Sequence, residues 1–146
     1  MRKYKAEVIY VNPCKVSAEK PMGNQPEGTP YLDIKFRVSH MLSADGEWEA
    51  VQAEQPGDDI FRKMYFLNPI PSGEGKRSSL EVTKARLAEE FDWTPLSSIT
   101  EIIGKPCELV THDVQGYERI KYVNNPNRKP KIDENLVNEF DKLLGV

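Results

Sequence analysis

Residues 31–38 place an apolar side chain at every second position (Leu32, Ile34, Phe36 and Val38), with Tyr31, Asp33, Lys35 and Arg37 between them. Successive side chains of a strand point to opposite faces, so this period predicts a strand with one core face and one wet face. A half-apolar strand must be paired along its edges and covered on one side. The chain therefore folds around a sheet, and the wet face of this strand carries a ring and two cations.

Other segments share the pattern. Residues 3–11 alternate Tyr4, Ala6, Val8 and Tyr10 with Lys5, Glu7, Ile9 and Val11, and Asn12-Pro13 marks a break or bulge. Asp45-Gly46 between apolar runs signals a hairpin, and residues 58–68 read as a third strand region. Residues 105–114 and 117–125, joined by Gln115-Gly116, read as a last hairpin. Between these strands the period becomes helical: Leu80, Thr83, Ala85, Leu87, Ala88 and Phe91 form one stripe, with Ser78 or Ser79 as N-cap and an end near Asp92. Residues 94–104 read as a short second helix stopped by Gly104. Two Pro/Gly-rich loops, 15–30 and 69–77, are long enough to be functional or mobile.

The expected architecture is mainly β: a five-stranded OB-like Greek-key barrel with a helix between strands 3 and 4, and a C-terminal amphipathic helix built on Leu136, Val137, Phe140, Leu143 and Leu144. A sandwich with a helical crossover gives a similar order of elements. The expected organisation is one domain over residues 1–126, then a linker and amphipathic segment over 127–146. With 146 residues and 38% hydrophobic content, one core closes without disulfides or metal. Charges interrupt the N-terminal segment where a signal peptide needs an apolar run, so a cytoplasmic protein is expected. Cys14 and Cys107 are too few and too far apart for a secreted disulfide framework, and both are expected as reduced, buried thiols.

Most chemistries find no motif. The loop Ser72–Ser79 resembles a phosphate cradle, but the place five before Gly75-Lys76 is Ile70 and the place after is Arg77, where a P-loop needs Gly and Ser or Thr. Cys14, His40, Cys107 and His112 lack zinc-ligand spacing, and no local signature pairs a nucleophile with a base. No metal, cofactor or catalytic residue is expected. The net charge of −3 excludes binding to nucleic acid by bulk basicity, so such binding needs a local patch.

Such a patch is expected on the wet strand faces: Tyr31, Lys35 and Arg37 on the second strand, Lys63 and Tyr65 on the third, Arg119 and Lys121 on the last, with Lys76 and Arg77 at the loop rim. Rings that stack on bases and cations that meet phosphates are what hold single-stranded nucleic acid. A merely solvated face shows the same residue types.

The segments GTPYLDIKFRV, KMYFLN and ITEIIGKPCELVTHDVQGYERIKYVNNP resemble the small phage and prophage single-stranded-DNA-binding proteins of replication and recombination cassettes. The likeness touches most of residues 4–126. It implies an OB-like barrel, single-stranded DNA as partner, the host cytoplasm as location, and binding by Tyr31, Lys35, Arg37, Arg119, Lys121 and Tyr122. The alternative is a protein-interaction module that uses the C-terminal amphipathic helix to dock on a replication or recombination enzyme.

Overall fold

The computed structural model describes residues 1–128 and 134–145. Among these residues the chain forms six strands in one open antiparallel sheet, and two helices. The strands are β1 (Arg2–Lys15), β2 (Pro30–Leu42), β3 (Trp48–Ala50), β4 (Ile60–Phe66), β5 (Pro106–Val114) and β6 (Tyr117–Asn124). Helix α1 spans Ser79–Phe91 and α2 spans Glu134–Leu143. The strand beyond the five expected is β3, the return arm of the Asp45-Gly46 hairpin. There Ser43 N–H donates to the Glu47 carbonyl at 2.8 Å, and Gly46 takes the positive φ of 82° that the turn requires. By strand count α1 therefore follows the fourth strand. The second helix expected at 94–104 is a single 3-10 turn, Ile99–Ile102.

β2 is central. β1 lies along one of its edges from Tyr4–Met41 to Lys15–Pro30, while β4 occupies the other edge over Tyr31–Arg37 and β3 over His40–Leu42. β5 pairs with the first half of β1, and β6 pairs with β5 through a two-residue turn in which Gln115 and Gly116 both have positive φ. β1 does not keep one parity. Its register against β2 shifts between Val8 and Tyr10, and the backbone of Val8 bonds outward, its N–H to the Lys105 carbonyl at 3.1 Å and its carbonyl from Gly104 N–H at 2.7 Å. This bulge at Ile9 returns Val11 to the core and turns Tyr10 out. Asn12 and Pro13, expected to break the strand, continue it.

The core joins Tyr4, Val8, Ile34, Phe36, Leu109 and Val123 of the sheet with Leu87 and Phe91 of α1. Phe91 stacks on Phe36 with ring centroids 6.1 Å apart and meets Tyr65 edge-on at 6.4 Å. Ser78 caps α1 by accepting from Glu81 N–H, and Asp92 ends it at a left-handed φ of 57°. Arg128 closes that end, donating to the Ala88 carbonyl at 2.9 Å and the Asp92 carboxylate at 3.1 Å. Of the expected apolar stripe Ala85 is exposed, and Glu90 is buried instead.

The apolar side chains of α2 are exposed, Phe140 by 54% and Leu143 by 79%. Of the linker expected after residue 126, residues 129–133 lie outside the described residues. Among the described residues no helix is long and apolar enough to cross a membrane.

The two thiols differ in a way the sequence pattern did not show. Cys107 is 2% exposed, and burial pushes its thiol up to about 12, whereas Cys14 is half-buried on the outer face of the sheet. A native sample at pH 8 should release one equivalent of thiol chromophore with an aromatic disulfide reagent, from Cys14, and two after unfolding in guanidinium. Prompt native reaction in a Cys14→Ser variant would show that Cys107 is reachable.

Candidate nucleic-acid interface

Because β1, β2 and β4 lie side by side, their register stacks the outward residues of β2 into cross-strand rows. Tyr31 sits between Cys14 and Phe66, Asp33 between Asn12 and Met64, Lys35 between Tyr10 and Arg62, and Arg37 between Glu7 and Ile60. The rows bring three rings and three cations onto one surface. The Tyr31 ring tilts against Phe66 at 5.7 Å, and Lys35 holds its ammonium 4.6 Å over the Tyr10 ring.

The charge on this surface is partly spent. Asp33 is 5% exposed and receives both Nε and Nη2 of Arg62 at 2.7 Å each. These hydrogen bonds hold the guanidinium above its ordinary range. Arg37 approaches Asp59 at 3.5 Å, on a side chain that is about half exposed. Lys35 forms no ion pair among the described residues, so it is the strand cation best placed for a phosphate. The phenol of Tyr31 is pushed above its ordinary value, first by loss of water contact and then by the neighbouring Cys14 sulfur.

Both long loops leave the sheet at the Tyr31–Phe66 end. Val16 N–H donates to the Thr29 carbonyl at 2.9 Å, closing the base of the first loop. Leu67 N–H donates to the Pro30 carbonyl at 2.8 Å where the second begins. Lys76 and Arg77 stand exposed on that second loop, whose base is pinned by Asn68 to Ser79.

The other expected residues lie elsewhere. Lys63 and Tyr65, expected on the wet face, occupy the core face, since β4 pairs Ile34 with Lys63 and Leu32 with Tyr65. Tyr65 is 2% exposed, packed on Phe91 and donating to Glu90 at 2.7 Å, which leaves no ring face open to a base. Lys63 reaches the same carboxylate at 3.7 Å. Arg119 is exposed opposite His112, one step past the pair of Arg2 with Thr111, and so at the far end of β1 from Tyr31. Lys121 falls in the β6 bulge and faces a cleft beside α1, together with Lys63. That bulge also turns Tyr122 outward, 53% exposed, although simple alternation groups it with Ile120.

Sequence reasoning missed Tyr10, Arg62 and Phe66. The run Val8-Ile9-Tyr10-Val11 breaks the apolar alternation, which is the sequence mark of a parity switch. In β4 both parities offer a cation and a ring, so the pattern could not choose between them. Among the described residues no three His, Cys, Asp or Glu side chains gather as metal ligands. No family model matches the chain, and no curated protein or solved structure matches it significantly.

Proposed function

We propose that this protein binds single-stranded DNA without catalysing a reaction, on the outer face of β1, β2 and β4. The observation that carries the reading is the row arrangement of Tyr10, Tyr31 and Phe66 with Lys35, Arg37 and Arg62. Rings in the first and third of these rows offer stacking platforms to unpaired bases, and the cations beside them meet the backbone. Lys76 and Arg77 add charge at the rim.

The topology supports the same reading. The path β4-β2-β1-β5-β6, with α1 between β4 and β5, is compatible with the strand order of a five-stranded Greek-key barrel. In OB folds the second and third barrel strands, here β2 and β4, carry oligonucleotides. A role in phage replication or recombination, in the host cytoplasm, follows from the resemblance of the sequence and belongs to this proposal. A second reading, a protein-docking module, rests on the exposed apolar side chains of α2.

Replacing Tyr10 by Ala should cost about 1–3 kcal/mol of affinity for oligo-dT in an anisotropy titration, while Phe there should be nearly neutral. Its ring is 38% exposed, so the melting temperature should barely move. If Tyr10→Ala and Lys35→Ala both bind as the parent does, this face is not the site. A log-log salt slope near zero, with capture of a partner protein lost on deleting residues 134–145, would favour the module.

The Asp33–Arg62 pair gives a sharper test, because it sets affinity against stability. Asp33→Asn should steepen the log-log salt dependence of binding by about 0.7, by releasing one guanidinium to a phosphate. The same change should lower unfolding free energy by about 1–3 kcal/mol, since two charge-assisted hydrogen bonds weaken. Lys35→Ala should flatten the slope by about 0.7 and leave stability nearly unchanged. An unchanged slope in both variants would remove these side chains from the interface.

A further inference from the structure

A cleft of about 770 Å³ lies away from the β1–β2–β4 face, between α1 and the end of β6. That volume falls within the range of small-ligand sites. Lys3, Lys63, Arg86, Lys121 and Arg128 line it, against Glu89, Glu90 and Glu108. Several of these charges are committed: Lys3 to Glu108 at 3.2 Å, Arg128 to Asp92 and Lys63 to Glu90. Arg86 and Lys121 form no ion pair among the described residues.

Lys63 is the unusual member. Its side chain is 17% exposed, and its one carboxylate partner stands at 3.7 Å and is shared with the Tyr65 hydroxyl. Its ammonium also lies 4.9 Å over the Tyr65 ring, and with one distant carboxylate it keeps a donor for a further acceptor. At the mouth, Tyr122 exposes about half its surface, with Lys121 5.3 Å from its ring centroid. Asn124 and Asn125 add amides to the same wall. The Asn125 amide nitrogen is buried. It lies near enough to Asp92 to hold that carboxyl below its ordinary range, yet meets no acceptor at hydrogen-bonding geometry.

We infer that this cleft binds a nucleoside monophosphate, its base against Tyr122 and the asparagine amides and its phosphate on Arg86, Lys121 and Lys63. Charge decides between monophosphate and triphosphate. With Arg128 paired to Asp92, four cations face three carboxylates, a small positive excess that suits a phosphomonoester of about −1.5 to −2 better than a more highly charged triphosphate. The phosphate has two sources, a free nucleotide or the phosphorylated end of a strand, and the site stands whether or not the sheet face binds DNA.

Isothermal titration of the full chain with deoxyadenosine monophosphate, deoxyadenosine, and a dT oligomer with or without a 5′-phosphate tests this inference. The monophosphate should bind at least about tenfold more tightly than the nucleoside, and Arg86→Ala and Tyr122→Ala, both at exposed positions, should each weaken it about tenfold. Lys35→Ala should leave it unchanged, which separates this site from the sheet face. Displacement of the monophosphate by the phosphorylated oligomer alone assigns the cleft to strand ends, and its retention assigns the cleft to free nucleotides. No binding of either phosphorylated probe, or binding that Arg86→Ala and Tyr122→Ala leave intact, overturns the inference.

Discussion

The structure depends on β2 being hydrogen-bonded along both edges. With β1 on one side and β4 and β3 on the other, its pleat is imposed on its neighbours, and each outward residue of β2 acquires a defined partner on either side. Leu32, Ile34 and Phe36 are thereby committed to the core, and Tyr31, Asp33, Lys35 and Arg37 to a common surface. A slip of one residue against either neighbour would exchange the two faces, burying Arg37 and exposing Phe36. The burial of Ile34 and Phe36, both 0% exposed, works against such a slip.

The Asp33–Arg62 pair bridges β2 and β4 on that surface. A carboxylate as buried as Asp33 is tolerated because two guanidinium hydrogen bonds compensate its desolvation. The pair also removes positive charge from a surface proposed to meet a polyanion, leaving Lys35 and the loop cations as the readily available charges. Under the proposed binding, a chain with net charge −3 that neutralises one of its own strand cations would rely on stacking and a few phosphate contacts.

The sheet is open, and α1 packs on its core face with Leu87 and Phe91 while touching both β4 and β6. The cleft beside α1 explains why a lysine and a glutamate occur at inward positions. Lys63 and Glu90 lie where the β4 edge and α1 approach solvent again, so their charged ends reach the cleft while their stems pack on the core. Burial raises the Glu90 carboxyl and lowers the Lys63 ammonium, and each opposes the shift of the other.

The sequence by itself determined most of the long strands, α1 with a cap at Ser78 or Ser79 and an end near Asp92, the tight turns at Gly46 and Gly116, and the outward set Tyr31, Lys35 and Arg37. These follow from local periodicity and from backbone conformations that few residues adopt. The tertiary structure decided parity wherever both faces of a strand carry similar residues. In β4 the sequence offers Arg62 and Phe66 on one face and Lys63 and Tyr65 on the other, and only packing against Phe91 selects the second pair as inward. In β1 and β6 a bulge resets the alternation, placing Tyr10 and Tyr122 outside. A bulge is held by hydrogen bonds to residues distant in the chain, here Gly104 and Lys105 for β1, and no periodicity within the strand encodes those partners.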